Sequence, residues 1–111
     1  MSASSVPADM TGSIEVSEEG TALIIAIRGE LDLATRVSVE RALSAAPASA
    51  GSIVIDLEGL TFCDSSGLGA LVAAHEAATA SGSRFVIRRA SPAVRRLFAI
   101  SGVDQTIELI P

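Results

Sequence analysis

Tryptophan, tyrosine and lysine do not occur in this chain of 111 residues, and cysteine and histidine occur once each, as Cys63 and His75. Each absence excludes a chemistry. Without lysine there is no Schiff-base nitrogen and no P-loop amine, since all eight basic residues are arginine. A single cysteine closes no internal disulfide, and with a single histidine it cannot build a Cys/His zinc site, so no metal or other cofactor is expected. Three phenylalanines are the only aromatics, too few for the stacking platforms that hold single-stranded nucleic acid. Thirteen Asp and Glu outnumber the arginines and give a formal net charge of −5. A grip on a phosphate backbone needs the opposite sign, so no direct nucleic-acid partner is expected. Long apolar runs are missing as well. Residues 22–27 form the longest, far short of the roughly 20 needed to cross a bilayer. No charged-then-apolar leader opens the chain, and the expected location is the cytoplasm. Against these absences, 49% hydrophobic and 19% charged residues suit one packed domain.

Residues 1–12 are rich in Ser, Ala, Pro and Gly without apolar periodicity, and read as a disordered N-terminal tail ahead of a domain at 13–111. Ile14 and Val16 alternate with polar neighbours, Ser17-Glu18-Glu19-Gly20 supplies turn chemistry, and residues 21–28 are crowded with Ile and Leu, which together predict a hairpin. Its second strand is apolar on both faces, Leu23, Ile25 and Ile27 on one and Ala22, Ile24 and Ala26 on the other, as a central strand requires. Gly29-Glu30-Leu31-Asp32 is expected to break that strand, with Asp32 as N-cap of a helix whose stripe is Val39, Ala42, Leu43 and Ala46, ending around Pro47.

Ile53-Val54-Ile55 predicts a third strand closed by Asp56, and residues 57–63 a loop. Asp64-Ser65-Ser66 then precedes a helix with Leu68, Leu71, Val72, His75 and Thr79 on one face, stopping by Gly82. Residues 84–88 form a fourth strand. Ser91-Pro92 opens a third helix with Val94, Leu97 and Phe98 inward and Gly102 as its stop, and residues 106–110 make a last strand. The order β-β-α-β-α-β-α-β predicts an α/β fold, a mixed sheet opened by a hairpin with βα crossovers and helices packed against it.

The unusual chemistry lies in Phe62-Cys63-Asp64-Ser65-Ser66-Gly67-Leu68-Gly69-Ala70-Leu71. A capping acid, two hydroxyls and two glycines crowd a helix N-terminus after a buried strand, where ligands and partners reach the backbone of open α/β sheets. Each glycine costs a helix about 1 kcal/mol relative to alanine. Close packing is one reason for them; a low, bare surface beside the hydroxyls, open to another protein, is a second. Asp64 serves as an ordinary N-cap on either reading. Catalysis by the serines is disfavoured. Neither has glycines two residues before and after it, as a nucleophile elbow needs, and His75 lies about 13 Å along the helix from Ser66 at 1.5 Å per residue. No G-x-x-x-x-G-K-[ST] frame is present. The hydroxyls therefore read as groups acted upon. A phosphate on Ser66 would sit in the first helical turn, where free N–H groups and the dipole favour an anion. It would add about −1.5 to −2 charges beside Asp64 and repel or desolvate a docking partner.

Gly29-Glu30-Leu31-Asp32, Ile53-Val54-Ile55-Asp56-Leu57 and Phe62-Cys63-Asp64-Ser65-Ser66-Gly67-Leu68-Gly69, at this spacing, resemble the STAS domain of bacterial anti-sigma factor antagonists, over about residues 14–110. The resemblance implies that the serine before the first glycine, Ser66, is the phosphoacceptor. It also implies a partner surface of Glu30, Asp32, Asp64, Ser65, Gly67, Leu68 and Gly69. The implied partners are an anti-sigma factor that is also a serine kinase, and a serine phosphatase that reverses the mark. Unphosphorylated antagonist binds the anti-sigma factor and frees the sigma factor; phosphorylated antagonist does not. The chain itself would be no enzyme. Members of the family usually carry a further C-terminal helix, whereas this sequence stops at Pro111. Other members do not switch in this way, among them transporter tails, stress-complex scaffolds and subunits of lipid-transport complexes, and a non-switching subunit or scaffold is the alternative. Elsewhere, His75 is expected to be structural and Cys63 a small buried hydrophobe. Arg88, Arg89, Arg95 and Arg96 read as a solvated face, with an acidic docking surface as the other possibility.

Overall fold

In the computed structural model, residues 4–7, 12–46 and 50–111 are described. Strand β3 (Ala22–Leu31) is the spine of the sheet, as its two apolar faces require. Antiparallel to it lies β2 (Gly12–Glu19), joined by a turn in which Gly20 takes φ +62°. On its other side run, all parallel, β4 (Ser52–Asp56), β6 (Arg84–Arg88) and β7 (Glu108–Ile110). Helices α1 (Leu33–Ser44), α2 (Ser65–Ala80) and α3 (Pro92–Ser101) lie in the crossovers between them. Leu23, Ile25 and Ile27 share one core with Ile53, Ile55, Phe85 and Ile87 and with Val39, Leu71, Ala74, Val94 and Phe98 of the helices. The opposite face carries a smaller cluster of Ile24, Val54 and Val86 to which no helical residue contributes. The helices therefore cover a single face, and the α/β expectation holds.

Four local readings change. The expected tail holds a strand, β1 (Ser4–Pro7), paired antiparallel with β2 from Ser4 opposite Val16 to Pro7 opposite Ser13. Pairing with the free edge of β2 outweighs weak local patterning there; the rest of the tail reading, at residues 1–3 and 8–11, lies outside the described residues, and Gly12 already belongs to β2. Gly29 bends β3 without ending it: at φ +80° it marks a register shift, after which the strand runs on to Leu31. That extension gives a second partner a place to pair. Residues 60–63, expected in a loop, form β5 (Leu60–Cys63) along the far end of β3. The last strand is shorter than expected because Val103–Gln105 is a turn of 3₁₀ helix.

The α2 face also rotates. Gly67, Ala70, Leu71, Ala74 and Ala78 are its buried residues, while Leu68 and Val72 are half-buried and Thr79 is exposed. Small side chains let this helix lie close to the sheet, so the buried stripe follows size as well as hydropathy. Capping was readable: Ser91 accepts from the Val94 N–H with Pro92 at the first helical position, and Gly102 closes α3 at φ +84°.

Candidate functional site

Two helix N-termini stand side by side because two neighbouring parallel strands each deliver an aspartate. In the β3–β5 register Glu30 lies opposite Phe62 and Leu31 opposite Cys63, and each chain then turns into a helix. Asp32 caps α1, accepting from the N–H groups of Ala34 (3.0 Å) and Thr35 (3.2 Å). Fully buried Thr35 completes the box, its hydroxyl accepting from the Asp32 N–H (2.8 Å) and donating to the Glu30 carbonyl (2.9 Å). Asp64 caps α2 through the Gly67 N–H (2.9 Å), while its own N–H donates to the Leu31 carbonyl (3.3 Å). The two caps are thereby tied across one strand pair.

The two glycines part company here. A Cβ on Gly67 would lie 2.9 Å from both Cys63 Sγ and Leu31 Cγ, and closer still to the Leu31 carbonyl oxygen. Gly67 is a packing glycine that seats α2 on β3. A Cβ on exposed Gly69 would meet nothing within 4 Å. Ser65 is exposed, and Ser66 and Leu68 are half-buried. Beneath them Cys63 is buried, its thiol pushed up to about 11 first by burial and then by the Asp64 charge. It is unreactive packing.

Glu30, Asp32 and Asp64 are half-buried, and among the described residues none of them is in a salt bridge. This end of the sheet is an acidic face, the charges of Asp32 and Asp64 being met by helix N-terminal N–H groups and not by arginines. Three large apolar side chains near it escaped sequence reasoning: Phe62 (51% exposed) on β5, Leu33 (68%) and Val37 (47%) on α1. Phe62 was hidden by the loop assignment. Leu33 and Val37, four apart and off the buried stripe, were detectable on a helical wheel.

The remaining singled-out residues are structural. His75 packs edge-on against Phe85, ring centroids 5.6 Å apart. Arg88 and Arg89 both donate to buried Asp56, and Arg95 donates to the carbonyls of Ala90 and Ile110 (3.1 Å each). Arg89 nevertheless stays exposed, as a solvated face expects, while Arg88 and Arg95 are half-buried. Among the described residues no three His, Cys, Asp or Glu side chains gather as metal ligands. An apolar cleft of about 120 Å³ lies between the C-terminal ends of α1 and α2, and a polar one of about 220 Å³ on the helix-free face. Neither of these two clefts includes Ser65, Ser66 or Gly69.

Comparison with known proteins agrees with this arrangement. Residues 14–111 match the family model described as "Mlab, STAS domain". The anti-sigma-B factor antagonist of Listeria monocytogenes is 35% identical over 102 residues, 90% of each chain. The anti-sigma-F factor antagonist RsfB of Mycobacterium tuberculosis is 32% identical over 98 residues, 87% of this chain and 80% of that one. A crystal structure of an anti-sigma factor antagonist from Mycobacterium paratuberculosis superposes with a TM-score of 0.80 at 29% identity, over 96% of this chain and 89% of the other. With strands β3 to β7, the paired aspartate caps and the glycine-seated α2 all lying inside the matched span, the chain belongs to the STAS-domain family.

Proposed function

We propose that this chain is an anti-sigma factor antagonist that works by partner switching in the cytoplasm, with residues 13–111 as the switching domain. Unphosphorylated, the face around Ser66 docks on an anti-sigma factor and frees the sigma factor. The anti-sigma factor is also the kinase. It transfers the γ-phosphoryl group of ATP to the Ser66 oxygen, the hydroxyl proton leaving to solvent or to a kinase base and ADP departing; a serine phosphatase hydrolyses the ester. The names of the Listeria and Mycobacterium relatives support the antagonist role.

One observation carries the switch. Ser66 and Gly69 are three apart, hence neighbours on the helix surface, and Gly69 gives up about 1 kcal/mol of helix stability where no packing contact asks for it. A bare patch beside a reachable hydroxyl is what a close-fitting protein surface needs. Phosphorylation there leaves the helix intact, because the first-turn N–H groups and dipole favour an anion. It sets about −1.5 to −2 charges beside Glu30 and the cap acids Asp32 and Asp64, and a docked partner must desolvate them all. Phe62 and Leu33 supply apolar contact, and Glu30, Asp32, Asp64, Ser65, Leu68 and Gly69 frame it, while buried Gly67 acts from beneath by seating the helix that carries them.

The test is affinity for the cognate anti-sigma factor. Ser66→Ala should bind as the unmodified chain does, and Ser66→Asp at least tenfold more weakly. Equal affinities would remove the electrostatic switch. A second reading is a non-switching subunit or scaffold of a larger assembly. That reading predicts no response to either substitution.

A further inference from the structure

The helix-free face carries an ionic knot that the docking surface does not use. Asp56, 5% exposed at the end of β4, accepts through Oδ2 from Arg88 Nε (3.1 Å) and from Arg89 Nε (3.1 Å) and Nη2. Its Oδ1 accepts from the Glu58 N–H (3.0 Å), and Arg89 Nη1 stands 3.5 Å from a Glu58 oxygen. Arg89 holds this position at φ +60°, the one non-glycine residue with positive φ among those described. For an arginine that conformation is uncommon and strained, so the contact it permits outweighs the strain.

The knot sits at a junction. β4 pairs with β3 at residues 22–26, β5 with β3 at residues 29–31, and the chain between them must jog from one register to the next. Residues 57–59 make the jog. Leu57 N–H donates to the Arg88 carbonyl (3.0 Å), Leu60 N–H to the Leu57 carbonyl (3.1 Å), and Gly29 N–H to the Gly59 carbonyl (2.9 Å). Thr61 then donates to the Gly29 carbonyl (2.9 Å), and β5 runs on to Asp64 and Ser66. From Arg89 to the α2 cap, consecutive hydrogen bonds fix where β5 lies on β3.

We propose that Arg89, acting through Asp56 and the 57–59 turn, is a positioning residue for the phosphoacceptor segment: it fixes the register of β5 and so the height at which Phe62 and Ser66 meet a partner. The consequence for phosphoryl transfer rests on the switching role proposed above; the mechanical coupling does not. Arg89→Gly removes the guanidinium while fitting φ +60° without strain, so the fold is retained. Arg89→Lys keeps the charge without the planar fork and should restore part of the effect.

Amide hydrogen exchange on the full chain reads the coupling directly. In Arg89→Gly, amides of residues 60–67 should exchange about tenfold faster, with Arg89→Lys in between, while those of α3 and β7 change less than twofold. Unchanged exchange at 60–67, or a uniform rise over all elements, overturns the proposal. Phosphoryl transfer to Ser66 by a partner kinase should then show a raised KM in Arg89→Gly with kcat little changed. If exchange responds as stated and no kinase modifies the unsubstituted chain, the coupling stands and the switch falls. If the unsubstituted chain is modified and exchange does not respond, the switch stands and the coupling falls.

Discussion

Replacing Gly67 and Gly69 by alanine, one at a time, should move stability in opposite directions although the residues are two apart on the same helix. Alanine gains about 1 kcal/mol over glycine at either position from helix propensity alone. At Gly69 nothing opposes the gain, since the new methyl meets no atom within 4 Å. At Gly67 the methyl falls 2.9 Å from Cys63 Sγ and Leu31 Cγ and nearer still to the Leu31 carbonyl oxygen. Two of these contacts belong to a central strand that cannot give, so α2 must lift. Lifting strains the 3.3 Å bond from Asp64 N–H to that same oxygen and loosens the seat of Leu71. Overpacking of this kind costs about 1–3 kcal/mol, and loss of the buried bond about 1 more. Net of the propensity gain, Gly67→Ala should destabilise by about 1–3 kcal/mol and Gly69→Ala stabilise by up to about 1. Urea unfolding of both variants, with unchanged m values, measures this. Shifts of the same sign would refute the distinction between a packing glycine and a surface glycine, and with it the observation that carries the proposed docking face.

Thr35→Val should cost about 1–3 kcal/mol, because an isosteric methyl leaves the Asp32 N–H and Glu30 carbonyl without their partner; chemical denaturation reads it. Burial pushes the Asp56 carboxyl up, but hydrogen bonds from Arg89, the Glu58 N–H and Arg88, with the charge of Arg89, outweigh burial and hold it below its ordinary 3.8. The unfolded chain therefore binds that proton more readily. The stabilisation is complete above pH 3.8 and is lost as pH falls through the lower folded value, so thermal midpoints of Asp56→Asn should fall less steeply in that range than those of the unsubstituted chain. Cys63, raised from 9.0 to about 11, holds about a hundredfold less thiolate at pH 8 than an ordinary thiol. Its alkylation by iodoacetamide should be slower by at least that factor until the chain unfolds.

Periodicity and capping chemistry made most of the fold legible. The β3 run, the β6 strand and the Asp32, Asp64 and Ser91 caps could be read because their signals are local. What escaped was set by tertiary pairing. β5 has four residues with two exposed, too short and too irregular for an alternating pattern, and exists because β3 continues past the Gly29 bulge and offers an unpaired edge. The same error concealed Phe62. On α2 the sequence pointed to the largest apolar residues, whereas the sheet is approached along Gly67, Ala70, Ala74 and Ala78. The Asp-Ser-Ser-Gly-Leu-Gly core marked the site's location, but the separate duties of Gly67 and Gly69 needed coordinates. So did the Asp56 knot, which joins residues more than 30 positions apart.

The central claim is that Ser66 is the hydroxyl through which docking is controlled. Incubation with the cognate anti-sigma factor and ATP, followed by intact mass and peptide mapping, tests it directly. The account predicts one added phosphate, located on Ser66, absent from Ser66→Ala and accompanied by release of the anti-sigma factor. An unmodified chain that stays bound, or a phosphate located anywhere other than Ser66, would contradict it.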